Sequence, residues 1–129
     1  MKIVGKINIV GVEYTLFLYE EIEEFKKLQE DSKERTERYL GKPEELALDG
    51  YCDYFTKEIR VYRDAKMHPA YFRMTLRHEI AHAFLFEIGN SNCDDEDLID
   101  KISKWTPTIN ACFLEGMKLL DSQDGEQEC

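Results

Sequence analysis

The chain of 129 residues has no run of about 18 uncharged apolar residues, the length that a membrane-spanning helix requires. Residues 1–6 lack the long apolar segment of a secretory signal. Cys52, Cys93, Cys112 and Cys129 form no C-x-x-C pair, which argues against a structural zinc knuckle and favours reduced thiols. We therefore expect a cytoplasmic protein that does not contact a membrane.

Positive charge is also scarce. Seventeen Lys and Arg against 27 Asp and Glu give a formal net charge of −10. Such a chain repels phosphate backbones, so direct nucleic-acid binding is not expected. The length suits one domain with a hydrophobic core and is short for two. We predict a single domain over residues 1–120 and a disordered polar tail over residues 121–129, and we leave the oligomeric state open.

Hydrophobic periodicity and turn residues predict the order of the secondary-structure elements. The predicted elements are a strand hairpin around Gly11, a charged helix over 20–40, strands over 46–55 and 58–62, and helices over 69–88, 94–105 and 108–120. The predicted fold class is α+β, with a small antiparallel or mixed sheet packed on the helix 69–88 and two further C-terminal helices. The strand 58–62 is either a sheet edge where an extended peptide can pair, or scaffold alone.

The most specific motif is H-E-x-x-H, formed by His78, Glu79 and His82 within the helix 69–88. At 3.6 residues per turn, positions 78 and 82 lie on one face and can present two imidazoles to one ion. Glu79 lies roughly 100° around the helix, where it can act as a general base beside the metal. The alternative is a pair of core histidines that hydrogen-bond to backbone carbonyls.

Catalytic zinc usually has three protein ligands, and the acidic run 94–97 is the place to seek the third. Glu96 is the first choice, because Asp100 follows one turn later and can hold the ring nitrogen of a ligand histidine. Asp95 lies nearer the apolar seam of its helix, and Asp97 or Asp100 can also turn inward. Periodicity alone leaves these alternatives open.

Four segments carry a pattern beyond the metal motif: Asp49-Gly-Tyr-Cys-Asp-Tyr54, Ile59-Arg-Val-Tyr62, Thr75-Leu-Arg-His-Glu-Ile-Ala-His-Ala-Phe-Leu85 and Asp95-Glu-Asp-Leu-Ile-Asp-Lys-Ile102. They resemble small phage and prophage proteins of Gram-positive bacteria, which are similar in turn to ImmA/IrrE-type zinc metallopeptidases. The resemblance implies a minimal zincin-like (gluzincin-like) core with His78, His82 and Glu96 as zinc ligands and Glu79 as the catalytic glutamate. Pro107, eleven residues after Glu96, matches the position of a helix-ending proline in the larger relatives.

The leading hypothesis is a zinc metalloendopeptidase that hydrolyses a protein or peptide substrate by metal-activated water, with Glu79 as general base. The alternatives are a zinc-binding, non-proteolytic partner-binding protein of a phage-derived gene cluster, and a structural domain without metal. The sequence names no substrate. It also does not choose an oxyanion donor among Tyr51, Tyr54, His68 and Arg77.

Overall fold

A computed structural model describes the backbone of residues 1–40 and 49–127, and the side chains of residues 1–31 and 49–123. The described chain combines one four-stranded mixed sheet with three helices. The elements are β1 (Lys2–Ile9), β2 (Val12–Tyr19), α1 (Ile22–Leu40), β3 (Gly50–Asp53), β4 (Glu58–Tyr62), α2 (Pro69–Glu87) and α3 (Glu96–Gln127). The predicted α+β class with a sheet packed on the motif helix is confirmed. The start of the predicted strand 46–55, at residues 46–48, lies outside the described residues.

The sheet order is β1-β2-β4-β3. β1 and β2 form the predicted antiparallel hairpin, and its turn places both Val10 and Gly11 at positive φ, as tight hairpin turns require. β2 pairs in parallel with β4, and β4 pairs in antiparallel with β3. Of the two interpretations of the strand 58–62, the structure therefore supports scaffold and not a sheet edge. β4 is an interior strand with a mostly buried sequence, and β3 is the edge strand that contacts α2.

α2 is held on two sides. On one side its Ala83 packs into a core with Tyr14, Ile59 and Val61 of the sheet. On the other side, Ala81 and Leu85 enclose the fully buried Ile99 of α3. Burial of one such isoleucine contributes about 1.5–3 kcal/mol. These contacts fix the register between α2, which carries the motif, and the first turns of α3.

A single helix replaces the two predicted C-terminal helices, because α3 runs through Pro107 without a break. Proline has no N–H to donate to the carbonyl four residues earlier, which is that of Ser103. Arg77 of α2 supplies the missing donor, with its Nε 2.9 Å from the Ser103 carbonyl oxygen. The chain can therefore continue as a helix where the sequence alone predicts a restart.

The same helix extends to Gln127 and so includes residues 121–127, which were predicted to belong to a disordered tail. No helix in the described part of the chain is both long and apolar enough to cross a bilayer.

The interaction between Arg77 and the Ser103 carbonyl can be measured by a double-mutant cycle. We expect Arg77→Met to lower the free energy of unfolding by about 1–3 kcal/mol, because a part-buried carbonyl loses its donor. In a Pro107→Ala background the restored N–H at position 107 serves this carbonyl, so the loss should be smaller. Urea unfolding of the four proteins gives the coupling energy. Arg73→Met, an exposed change on the same helix, is the control, and an equal loss in both backgrounds would contradict the assignment.

Candidate metal centre

Local sequence signals keep α2 regular across the motif. His68 caps the N-terminus, with its Nδ1 accepting from the Ala70 N–H at 3.0 Å, and Pro69 occupies the first turn. Gly89 follows the C-terminal end at a φ of +76°, a conformation that glycine adopts without strain. His78 and His82 consequently lie one turn apart on one helical face, with ring centroids 4.8 Å apart.

The two imidazoles and the Glu96 carboxylate converge on one point. The two Nε2 atoms are 3.2 Å apart. Glu96 Oε2 lies 2.9 Å from His78 Nε2, and Glu96 Oε1 lies 3.0 Å from His82 Nε2. Within the described part of the chain, these side chains form the group able to share one ion. The structure therefore brings together the three residues that the sequence predicts as ligands.

The opposite ring nitrogens identify the tautomers. His82 Nδ1 is 2.6 Å from the Cys93 carbonyl oxygen, and His78 Nδ1 is 3.1 Å from Asp100 Oδ1. A carbonyl or carboxylate oxygen can only accept, so each neutral ring carries its proton on Nδ1. Both Nε2 lone pairs then point toward the Glu96 carboxylate.

This arrangement fits a metal cation. With both rings neutral, His78, His82 and Glu96 present acceptor atoms to one another at 2.9–3.2 Å without a hydrogen between them. A positive ion at their centre removes this repulsion. Tetrahedral ligands with bonds of 2.0–2.1 Å lie about 3.3 Å apart, close to the observed separations. A set of two nitrogens and one oxygen suits zinc and other transition metals, and leaves a fourth position open.

The other acidic residues of this region have different contacts. Asp95 caps α3, because its Oδ1 accepts from the Leu98 N–H at 3.2 Å. Asp97 pairs with Lys101 at 3.0 Å on the exposed side of the helix. Asp100 reaches a ring nitrogen of His78, the contact predicted for a residue one turn after the ligand. Of these carboxylates, the structure places only that of Glu96 at both Nε2 atoms.

Tyr54 lies beside His82 on the Nδ1 side of its ring, away from Glu96. Its ring stacks on Phe86 at 4.4 Å, and its hydroxyl donates to Asp94 at 2.9 Å while lying 3.3 Å from His82 Nδ1. Burial, with the hydrogen bond to Asp94, raises the pKa of Tyr54, so the hydroxyl keeps its proton. The Cys93 carbonyl and this stacked tyrosine complete the surroundings of His82. The sequence does not reveal the contact with the carbonyl, because every residue has a main-chain carbonyl whatever its type.

Glu79 is almost completely buried, with 2% of its surface exposed. Burial and, secondarily, the charge of Glu96 raise the pKa of Glu79 to about 8. Its carboxylate lies against β3, where a Cβ built on Gly50 would be 2.8 Å from Glu79 Oε1. Glycine is therefore required at position 50 for Glu79 to occupy this place. A carboxylate in such surroundings is a stronger base than one in water.

A cavity of about 160 Å³ opens beside the centre. Its wall includes Gly50, Tyr71, Met74, Thr75, His78 and Glu79. The Tyr71 hydroxyl donates to Asp49, and this hydrogen bond raises the pKa of Tyr71 to about 12. A molecule in the cavity can thus reach a candidate ligand, the buried carboxylate and a protonated phenol.

The four residues considered as oxyanion donors have other partners. His68 caps α2, Arg77 holds the Ser103 carbonyl, and Tyr54 donates to Asp94. The Tyr51 hydroxyl lies 3.2 Å from Asp53 Oδ2. Tyr71, which the sequence analysis did not name, is the tyrosine in the cavity wall.

Comparison with known proteins gives no further assignment: no family model, curated protein or solved structure matches the chain. The resemblance to phage metallopeptidase-like proteins stays a prediction.

The ligand assignment predicts a graded set of metal affinities. We expect His78→Ala, His82→Ala and Glu96→Gln each to abolish stoichiometric zinc binding, because the first two remove a ligand nitrogen and the third removes the negative charge of the ligand carboxylate. Asp100→Ala should weaken binding by about 10–100-fold, since it orients a ligand without being one. Zinc titration with elemental analysis measures both effects. Asp97→Asn is the matched control on the same helix, and a loss of zinc there equal to that of Glu96→Gln would refute the assignment.

The contact between Gly50 and Glu79 predicts a second coupling. We expect Gly50→Ala to destabilise the protein by about 1–3 kcal/mol through overpacking. In a Glu79→Ala background the obstructing atoms are gone, so the same change should be close to neutral. Thermal or urea unfolding of the metal-free proteins measures this. An undiminished loss in the second background would show that Gly50 is needed for another reason.

Proposed function

We propose that the protein is a zinc metallopeptidase that hydrolyses peptide bonds in a protein or peptide substrate. The observation that carries the proposal is the convergence of two Nε2 atoms and the Glu96 carboxylate at 2.9–3.2 Å beside a buried glutamate. The alternative of two core histidines satisfied by backbone carbonyls does not account for a carboxylate at both Nε2 atoms. The proposal agrees with the H-E-x-x-H motif and adds the position of Glu96, which sequence alone leaves open.

His78, His82 and Glu96 would hold the ion, and zinc is the metal that such a set with an open fourth position suits best. When bound, zinc supplies Lewis acidity, which lowers the pKa of water from 15.7 to about 7 and polarises a carbonyl. Asp100 and the Cys93 carbonyl fix the two rings, so that both present Nε2.

Glu79 would act as general base and then as general acid. In the metal-free protein its burial raises the pKa to about 8, and a catalytic base is most effective when its pKa lies near the working pH. It would take a proton from the attacking water and pass it to the leaving amine. Gly50 allows the carboxylate to lie beside the cavity wall that also contains His78.

The edge strand β3 is suited to bind the substrate main chain. It contacts α2 and ends the sheet, and no other strand among the described residues pairs with its outer edge. An extended peptide can add to such an edge by backbone hydrogen bonds, next to the cavity beside Gly50. We place this activity in the cytoplasm, because scattered free cysteines suit a reducing compartment.

Glu79→Gln tests the proposal directly. The variant should keep stoichiometric zinc and lose cleavage by about 10²–10⁴-fold, because the amide cannot accept the proton. The probe is a peptide library containing all residue types, incubated with zinc-loaded protein and read by mass spectrometry. Asp97→Asn should retain both zinc and cleavage.

Two results would count against the peptidase. Undiminished cleavage by Glu79→Gln would remove the assigned base. Stoichiometric zinc without cleavage of any library peptide by the unaltered protein would instead favour the non-proteolytic, partner-binding alternative, which uses the same ligands and does not need Glu79.

A further inference from the structure

The second half of α3 exposes an apolar stripe, which we define as Trp105, Ile109, Phe113, Met117, Leu119 and Leu120. Their exposed fractions lie between 39% and 67%. Every described residue from 104 to 123 other than Gly116 is exposed. At a rise of 1.5 Å per residue this segment is a rod of about 30 Å.

The stripe occupies one face of the helix. At 100° per residue, it covers an arc of roughly 160° from Leu119 to Met117, and both Cys112 and Gly116 fall inside it. The remaining arc carries the polar side chains Asn110, Glu115, Lys118 and Asp121 and one exposed leucine, Leu114. A helix with this pattern is built to bury one face.

The stripe also continues a face that is already packed. Leu98, Ile99 and Ile102 lie on the same arc and pack against α2. Beyond Ser103 the arc has no described neighbour to cover it. The amphipathic pattern therefore runs without interruption from an internal interface into a free surface.

The apolar area of this surface and its small number of charged residues are typical of a protein interface. Six large side chains at these exposures present on the order of 700 Å² of apolar area. A typical monomer has a largest patch of about 300–600 Å², whereas a stable interface uses about 800 Å² per partner. Between positions 105 and 120 only Glu115 and Lys118 are charged, in a chain with 34% charged residues. Depletion of charge is typical of interface centres.

We propose that the stripe binds a second copy of this chain, as an antiparallel pair of α3 helices about a two-fold axis midway between positions 105 and 120. In that register large residues face small ones: Ile109 faces Gly116 of the partner subunit, and Phe113 faces Cys112 of the partner subunit. Trp105 faces Leu120 of the partner subunit. A Cβ on Gly116 would meet nothing within 4 Å, so this position can accept a side chain from the second helix.

The antiparallel arrangement also keeps the two negatively charged sheet bodies apart. Each chain carries a net charge of −10, and the rods place the two sheet bodies at opposite ends of the pair. The self-complementary contact is isologous and closes at two subunits. It makes no use of the metal centre, so its test is independent of the proposed function.

The mass of the full chain in solution tests the pair. We expect twice the 15.2 kDa of one chain by sedimentation equilibrium. Ile109→Glu combined with Phe113→Glu should raise the dimer dissociation constant at least ~100-fold, because two charges enter the seam. Ala111→Glu, on the opposite face, should leave the dimer intact. Circular dichroism and thermal unfolding verify that each variant remains folded.

Cross-linking gives a second measurement. A short bis-maleimide should link Cys112 to Cys112 of the partner subunit, and Cys112→Ser should prevent the link. A monomer at ~100 μM would overturn the proposal, as would a dimer that survives Ile109→Glu with Phe113→Glu. Binding of the monomer to lipid vesicles through the stripe would likewise overturn it, in favour of a membrane surface as occupant.

Discussion

The packing of α3 against α2 is the constraint on which the candidate centre depends. Ile99 lies fully buried between Ala81 and Leu85, and Glu96 precedes it by one turn. If α3 slid along α2 by one turn, about 5.4 Å, the Glu96 carboxylate would leave both imidazoles. The three candidate ligand side chains are thus held together by an apolar contact, and the polar site is a consequence of core packing.

Negative charge is concentrated around this contact. Glu79, Glu96 and Asp100 lie close to the imidazoles of His78 and His82. Such a cluster is unfavourable in a partly buried place unless a proton or a cation compensates it. In the metal-free protein the raised pKa of Glu79 favours its neutral form and so reduces the negative charge of the cluster. A divalent ion would compensate this charge at the candidate ligands themselves.

Sequence reasoning predicted the parts of the fold and site that depend on local spacing. The H-E-x-x-H helix, the hairpin around Gly11 and the pairing of Asp100 with a ligand histidine all follow from periodicity over a few residues. The interior position of β4 did not, because strand periodicity reveals which face is buried and not which strand is the neighbour. Pro107 was read as a helix break, since the donor that replaces its missing N–H comes from Arg77, thirty residues earlier. The need for glycine at position 50 likewise arises only when Glu79 is placed against it.

The two imidazoles differ in how their orientation is secured, and this difference has an evolutionary consequence. His78 is oriented by a side chain, Asp100, whereas His82 is oriented by the main-chain oxygen of Cys93. A point mutation can delete a carboxylate, but no single substitution deletes a carbonyl. Point mutations at position 100 can therefore weaken or remove the contact that orients His78. The His82 side tolerates sequence change at position 93 as long as the loop keeps its path.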